Sequence, residues 1–253
     1  MESYWNLNGK YALITGGTKG IGKATAEMLA ELGAHVIVVA RTQKDLEKQI
    51  DDWKSSDKLI QGICADLSKP DEAYRVFDEY CQVVTERRLD ILVNNVGLPL
   101  RKAVSDIKPV DYQENLQINV GSMLQMSQAF FPLLKQAKNA SIINTSSVNA
   151  YRTTPDDVID GAARSAVVSL TKSLAKAWAD EGIRVNSVAP GYTDTQRVHA
   201  FHTKEELATH INKIPLKRMA SSREIASTIA FLAMNAASYI TGQCVIVDGG
   251  LTL

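Results

Sequence analysis

The stretch "YALITGGTKGIGKATAEMLAELG", residues 11–33, decides the fold because a strand signal, a turn signal and a helix signal follow one another directly. Residues 11–15 form a short apolar run, which is typical of a strand that is covered on both faces. Gly16 and Gly20 mark a tight turn, and the apolar residues after them recur at helical spacing until Gly33. The segment therefore predicts a strand, a turn and an amphipathic helix.

The same alternation continues along the chain. Further apolar segments, rich in Val and Ile and ending in turns, lie at 35–41, 59–67, 89–97, 141–147, 183–191 and 243–250. Seven strands separated by helices predict an α/β protein with a Rossmann-type, doubly wound, seven-stranded parallel sheet. No linker, repeat or low-complexity segment divides the sequence, so we expect one domain over residues 1–253.

The glycine turn indicates a ligand. Gly16, Gly20 and Gly22 remove side chains where the chain must turn tightly and where a diphosphate has to approach the backbone. The amides at the N-terminus of the following helix then face negative charge. Because the turn lies between an apolar strand and an amphipathic helix, it predicts a dinucleotide site.

The end of the second strand indicates which dinucleotide binds. Enzymes that use NAD usually have an acidic residue there for the ribose diol. This chain has Arg41, and Lys19 in the glycine turn adds a second cation. Two cations without a carboxylate favour the 2′-phosphate of NADP(H).

Bulk properties exclude several classes of partner. The 28 basic and 28 acidic residues give a formal net charge of zero, so general attraction to nucleic acid or to a membrane surface is not expected. No apolar run approaches the roughly 18 residues of a membrane span, and no secretory signal is recognised. Cys64, Cys81 and Cys244 are predicted to be buried thiols of a reducing compartment. We expect a cytoplasmic protein that acts on a small molecule.

On its motifs the chain resembles the short-chain dehydrogenase/reductase family, most closely the tropinone-reductase type. The motifs are the glycine turn at 15–22, the element Asn94-Asn95-Val96-Gly97, the loop "PGYTDT" at 190–195 and "YITGQCVIVDGG" at 239–250. The resemblance implies an NADP(H)-dependent oxidoreductase that transfers hydride. It also implies that segment 196–218 is a variable substrate lid.

The resemblance further implies which residues contact the cofactor. Asp66 is expected to hold the adenine amino group, Asn94 to line the cofactor path, and Thr195 to contact the cofactor near the nicotinamide. The full implied set is Gly16, Thr18, Lys19, Gly20, Ile21, Gly22, Arg41, Asp66, Leu67, Asn94, Gly97, Arg164, Pro190, Gly191, Thr193 and Thr195.

The implied catalytic set is only half present. Family members use a Tyr that exchanges a proton with the substrate, a Lys that lowers the pKa of the Tyr, a Ser that orients the carbonyl and an Asn that supports a water. Asn119 and Ser147 match two of these positions. The other two fall on Asp160 and Arg164, thirteen and seventeen residues after Ser147.

Asp160 and Arg164 change the chemistry that can be expected. They are four residues apart near a helix start, so they share a face and interact. The cation and the helix dipole lower the pKa of the carboxyl from a reference value near 4, which leaves no proton to donate at neutral pH. Arg164 can still bind ribose hydroxyls, but it holds its own proton too firmly to relay one.

Three interpretations remain open. In the favoured one, hydride moves to a substrate that is already cationic at carbon, such as an iminium ion, and Asp160 stabilises the charge. In the second, a ketone is reduced through a replacement donor, for which Tyr151 is the nearest candidate in sequence. In the third, the protein is a cofactor-binding pseudoenzyme or a non-redox cyclisation or elimination catalyst, and the pair only stabilises the helix.

Two further expectations concern association and metals. The segment 110–137 and the helix after Asp160 carry more apolar surface than one sheet face needs, which predicts a homodimer or homotetramer. His199 and His202 have helical spacing, but no carboxylate or cysteine set lies near them in sequence, so no metal site is expected.

Overall fold

A computed structural model describes residues 4–56, 58–137 and 139–253. All seven predicted strands form, and two additional strands of two residues each follow the sixth. The strands are β1 (Tyr11–Thr15), β2 (His35–Ala40), β3 (Ile60–Cys64), β4 (Ile91–Asn94), β5 (Ala140–Thr145), β6 (Ile183–Pro190), β7 (Thr193–Asp194), β8 (Ala220–Ser221) and β9 (Cys244–Val247). The main sheet is entirely parallel, in the order β3-β2-β1-β4-β5-β6-β9, while β7 and β8 pair separately. The predicted Rossmann-type fold is thereby confirmed.

Helices cover both faces of the sheet. They are α1 (Gly20–Glu31), α2 (Gln43–Lys54), α3 (Glu72–Val83), α4 (Pro109–Leu116), α5 (Ser122–Gln136), α6 (Val158–Trp178), α7 (Gln196–Phe201), α8 (Lys204–Lys213) and α9 (Ser222–Ala233). Along β2, Val36 and Val38 pack in the core beneath α1, α2 and α9. Ile37 and Val39 pack in the core beneath α3, α5 and α6. Because alternate residues of a strand point to opposite faces, two apolar layers explain the continuous apolar strand sequences.

The strand order positions the site. β1 lies between β2 and β4, so the connections leave the carboxyl end of β1 and the carboxyl end of β4 in opposite directions. A crevice opens at such a switch point. The loop after β4 is held against the end of β1, because the amide of Asn95 donates to Thr15 Oγ1 over 2.9 Å.

Helix ends follow the sequence signals. α1 ends at Glu31, and Gly33 adopts a φ of +93°, a conformation that favours glycine. α6 ends at Trp178, and after one tighter turn Gly182 has a φ of +72°. Within the described ranges, no helix has the combination of length and apolar character needed to cross a bilayer.

The cysteines differ from expectation. Cys64, Cys81 and Cys244 are free thiols, but each is half-buried where full burial was predicted. Cys64 and Cys244 belong to β3 and β9, the two edge strands of the sheet, which neighbouring strands cover on one side only.

Candidate functional site

A cleft of about 1260 Å³ opens at the carboxyl ends of the strands. Its walls are the glycine turn, the ends of β2 and β3, the loops after β4 and β5, the start of α6 and the segment from β6 to α7. The predicted site residues that line it are Gly16, Thr18, Lys19, Gly20, Ile21, Arg41, Asp66, Leu67, Gly97, Ser147, Asp160, Arg164, Pro190, Gly191, Thr193 and Thr195. Gly22, Asn94, Asn119 and Tyr151 do not line it.

The glycine turn leaves backbone amides open to the cleft. Gly16 and Gly20 have φ values of +69° and +53°, which side-chain-bearing residues rarely adopt. Gly22 acts by packing, because a Cβ there would lie 2.1 Å from the carbonyl oxygen of Gly16. Within the described chain no side chain caps the first turn of α1. Its amides are therefore available to an anion.

Lys19 and Arg41, the two cations predicted to bind the 2′-phosphate, differ in their surroundings. Lys19 Nζ lies 2.5 Å from Asp45 Oδ2 of α2, and this hydrogen bond lowers the pKa of Asp45. Arg41 lines the cleft, and the described residues give it no ion pair. The end of β2 carries no carboxylate, but the packing of α2 brings Asp45 beside Lys19 from 26 residues away. Asp66 lines the cleft, and its Oδ1 accepts hydrogen bonds from Ser68.

Asn94 was predicted to line the cofactor path, but the structure places its side chain elsewhere. Its side chain is buried, and Nδ2 donates to Asn144 Oδ1 over 2.9 Å and to Ser127 Oγ over 3.2 Å. It ties β4 to β5 and α5, so its side chain does not line the cofactor path. The cleft is lined by Asn95 instead, whose Nδ2 donates to the carbonyl oxygens of Thr15 and Gly16. β4 ends at Asn94, and the first loop residue is the one that turns toward the cleft.

The predicted ion pair between Asp160 and Arg164 forms in the cleft wall. Both side chains are buried, with residue exposures of 4% and 8%. Arg164 Nε donates to Asp160 Oδ1 over 3.2 Å, and Asn149 Nδ2 donates to Oδ2 over 3.2 Å. Arg164 Nη1 also donates to the carbonyl oxygen of Thr145 over 3.3 Å. This carboxylate therefore already accepts from two protein donors, and the guanidinium is anchored to β5.

Asn119 supports the site from behind the cleft. It lies in a single π-helical turn, Gln117–Gly121, between α4 and α5, and such turns are frequent at functional sites. Its Oδ1 accepts from the amide of Leu98 and its Nδ2 donates to the Leu98 carbonyl, both over 2.9 Å. A Cβ on Gly97 would lie 2.8 Å from Asn119 Oδ1 and 2.8 Å from Arg164 Nη2. Asn119 thus holds the loop after β4 close to the Arg164 guanidinium.

Tyr151, the replacement proton donor considered from the sequence, also lies elsewhere than expected. The side chain is outside the cleft and 45% exposed, and it contacts Cys244 of edge strand β9. Partial burial and the hydrogen bond with Cys244 raise the pKa of Tyr151. Ser147 begins the short turn Val148–Ala150, and its Oγ accepts from the Asn149 amide over 3.1 Å. That turn places Ser147 in the cleft wall and Tyr151 beside edge strand β9.

Tyr192 is a cleft residue that the sequence analysis missed. Its ring stacks on His210 with a centroid distance of 4.8 Å and meets the edge of His202 at 5.7 Å. The Arg152 guanidinium lies 5.8 Å from the ring centroid. Burial raises the pKa of Tyr192. The signal was its position in "PGYTDT", directly after the strand end at which site residues collect.

The histidines of segment 196–218 take separate partners. His199 Nε2 lies 2.7 Å from Asp194 Oδ1, so a carboxylate does accompany it, contrary to expectation. His202 Nδ1 faces the Val198 carbonyl at 3.0 Å. In the three described ranges, no group of three or more His, Cys, Asp or Glu side chains is arranged to hold a metal ion.

Comparison with known proteins agrees with this arrangement. A family model described as enoyl-(acyl carrier protein) reductase matches residues 16–252. A tropinone reductase homologue of Arabidopsis thaliana is 38% identical over 253 residues, covering 100% of this chain and 96% of the relative. A tropinone reductase homologue of Datura stramonium is 35% identical over 253 residues, covering 98% of this chain and 94% of the relative. A chloroplastic homologue from Arabidopsis thaliana is 37% identical over 250 residues, covering 98% of this chain and 77% of the relative.

Solved structures of similar proteins superpose on nearly the whole chain. The Pseudomonas aeruginosa RhlG/NADP active-site complex superposes with a TM-score of 0.93 at 31% identity, covering 100% of both chains. A gluconate 5-dehydrogenase from Burkholderia cenocepacia, in complex with NADP and tartrate, superposes with a TM-score of 0.92 at 29% identity, covering 98% of this chain and 97% of the other. The family match, the relatives and the cleft geometry agree, and the chain belongs to the short-chain dehydrogenase/reductase family.

Proposed function

We propose that this protein is an NADP(H)-dependent oxidoreductase that transfers hydride to a small organic substrate already cationic at the reacting carbon, such as an iminium ion. The observation that carries the proposal is the buried Asp160–Arg164 pair in the wall of the cleft. By the family resemblance, these positions are where relatives use a Tyr as proton donor and a Lys beside it. A reaction at a cationic carbon needs no acid to protonate a developing alkoxide.

The cleft fits the dinucleotide. The open amides of α1 and the nearby Arg41 suit its phosphates. A Cβ on Gly16 would lie 3.1 Å from Asn95 Nδ2, so the turn tolerates little more than glycine. Thr145 lines the cleft, and its buried Oγ1 has no hydrogen-bond partner among the described residues. When bound, NADPH supplies a hydride from its nicotinamide ring.

Arg164 and Asp160 would have distinct tasks in this reaction. Arg164 is anchored to Thr145 and Asp160 by two of its five N–H groups, and the remaining donors are available to ribose hydroxyls. Asp160 accepts two hydrogen bonds out of about four acceptor sites on a carboxylate, so it retains capacity to face a cation. In a site withdrawn from water, this fixed negative charge stabilises a developing positive charge without reorganisation.

A second candidate function is carbonyl reduction through a different donor. Tyr151 does not line the cleft, whereas Tyr192 lines it and carries a hydroxyl, which supports Tyr192 as the donor. A tyrosine hydroxyl is protonated at neutral pH and can donate, although burial raises the pKa of Tyr192 and so makes it a weaker acid. The third interpretation, cofactor binding without redox turnover, requires only the features that surround the glycine turn.

One experiment separates these functions. NADPH binding is measured first by fluorescence titration, and NADPH oxidation is then followed with a panel of cyclic imines and a panel of ketones. We expect turnover of imines and little turnover of ketones, with the imine activity reduced in Asp160→Asn. Turnover of ketones alone, lost in Tyr192→Phe, would favour the second candidate. Binding without turnover on either panel would favour a non-redox role.

We also propose that segment 196–218 is the substrate lid and that the protein acts in the cytoplasm. All residues from Gln196 to His202 except His199 line the cleft, which supports the first proposal. The second rests on the sequence, and one relative is chloroplastic. Fractionation of cells that express the tagged chain would test the location.

A further inference from the structure

Arg197 spans the cleft between two walls that the cofactor would separate. α7 begins directly over the glycine turn, because a Cβ on Gly20 would lie 3.2 Å from Thr195 Cγ2. Two residues further, Arg197 Nη1 reaches across and donates to the carbonyl oxygen of Gly97 over 2.6 Å. Its side chain therefore runs from the segment over the glycine turn to the loop after β4.

None of the described acidic side chains lies within ion-pair distance of Arg197. Arg218, the other arginine of segment 196–218, pairs with Glu224. Arg197 is accessible from the open cleft. The cleft walls nevertheless withdraw water from the guanidinium, and this desolvation, with repulsion from Arg164 and Arg41, lowers the pKa of Arg197. Asp160 attracts it only partly, since that carboxylate is bound to Arg164.

A cation held among other cations, above uncapped helix amides, marks a place for a ligand anion. Three anions come into question: the 2′-phosphate, the diphosphate and an acidic group on the substrate. Arg41 and Lys19 lie at the adenosine end and suit the 2′-phosphate. Arg197 follows Thr195, which lies over Gly20 of the glycine turn, and its side chain reaches Gly97 at the opposite wall. The part of a dinucleotide that lies against a glycine turn is the diphosphate.

We propose that Arg197 binds the diphosphate of the dinucleotide from the lid side and holds it against the glycine turn. The inference rests on the proposed function, since NADP(H) is the ligand. Arg197 would exchange its contact with Gly97 for the phosphate oxygens, so that cofactor binding draws α7 onto the cleft. Arginine suits this task because its planar donors can engage two phosphate oxygens together.

The test compares two ligands and three variants. The ligands are NADPH and adenosine 2′-monophosphate, which keeps the adenosine and its 2′-phosphate but has no diphosphate. The variants are Arg197→Ala, Arg197→Lys and Lys204→Ala, and the last removes one positive charge from the same segment outside the cleft. Affinities are measured by isothermal titration at two salt concentrations, with thermal unfolding as a check of folding.

We expect Arg197→Ala to weaken NADPH binding by about tenfold or more, as for loss of a charge-assisted hydrogen bond. Arg197→Lys should lose less, and Lys204→Ala should match the unaltered protein. Adenosine 2′-monophosphate should bind all four proteins within about twofold, and the NADPH affinity of Arg197→Ala should depend less on salt.

Several results would overturn the inference. If NADPH bound Arg197→Ala and the unaltered protein equally well, the inference would be refuted while the proposed function would stand. Equal losses of affinity for NADPH and for adenosine 2′-monophosphate would have the same consequence. An Arg197→Ala protein that binds NADPH normally but loses only acidic substrates would assign the guanidinium to the substrate. Failure of the unaltered chain to bind NADPH would refute the proposed function, and the inference with it.

Discussion

At the scale of single residues, the Asp160–Arg164 pair combines burial with charge. Breaking a buried pair by removing one partner leaves an unpaired buried charge, which costs about 3–5 kcal/mol. We therefore expect Arg164→Ala to lower the free energy of unfolding by about that amount. Urea denaturation of this variant beside Arg41→Ala provides the measurement, since Arg41 is exposed and has no ion pair among the described residues. Equal stability of the two variants would contradict a desolvated pair.

The same two positions should control the choice of substrate. We expect the double substitution Asp160→Tyr with Arg164→Lys to gain ketone reduction and to lose imine reduction, because it restores a phenol that can protonate an alkoxide. Steady-state rates on both panels measure the exchange. The matched control is Tyr151→Phe, whose side chain lies outside the cleft and should leave both rates unchanged. Unaltered rates in the double variant would show that the substrate reacts elsewhere.

At the scale of elements, the packing of α8 against the cleft depends on a neutral His210. Desolvation, then the charges of His202, Arg152 and other cations, lower the pKa of His210 below 6.5. The unfolded chain consequently binds this proton more readily than the folded chain. The stabilising contribution of the neutral ring is complete above pH 6.5 and is lost as the pH falls from there toward the folded-state pKa.

We expect chemical denaturation to show that stability falls between about pH 7 and pH 5 more steeply in the unaltered protein than in His210→Gln. His199→Gln is the control, because His199 is an exposed histidine of the same segment that contacts Asp194 and not Tyr192. Parallel pH profiles for the unaltered protein and His210→Gln would remove His210 from this role.

How much of this architecture could be predicted is also a matter of scale. The strands were predictable because each is covered on both faces and must therefore be continuously apolar, as 35–40 shows. The direction of a side chain at a strand end could not be predicted in this way. Asn94 and Asn95 are the same residue type, and their roles differ because Asn94 is the last residue of β4 that pairs with β5. The contact of Lys19 with Asp45 depends on how α2 packs, which local patterns do not contain.

At the scale of the whole molecule, the exposed apolar side chains indicate which helix would contact a second copy of the chain. Most apolar side chains of α5, such as Met126 and Phe130, are in the core. On α4, by contrast, Val110, Tyr112 and Leu116 are exposed. Exposed apolar side chains on a surface helix favour contact with a second copy of the chain.

We expect light scattering coupled to size-exclusion chromatography to give two or four times the 27.7 kDa of one chain. Val110→Glu together with Leu116→Glu should reduce the mass, because charges would be buried in the contact. Val83→Glu, at an exposed apolar residue of α3, should not. A monomeric unaltered protein would refute the prediction, and an unchanged mass in the double variant would exclude α4 from the contact.

The Lys19–Asp45 bridge implies a compromise in how the molecule distinguishes phosphorylated from unphosphorylated dinucleotides. A phosphate monoester that approaches Lys19 must displace the Asp45 carboxylate, so its net attraction to the ammonium group is reduced. Without that carboxylate, the ammonium group of Lys19 should be available to the phosphate. We expect Asp45→Asn to increase the ratio of NADP⁺ to NAD⁺ affinity, and a ratio that stays constant in titration of both would mean that Lys19 is not shared between them.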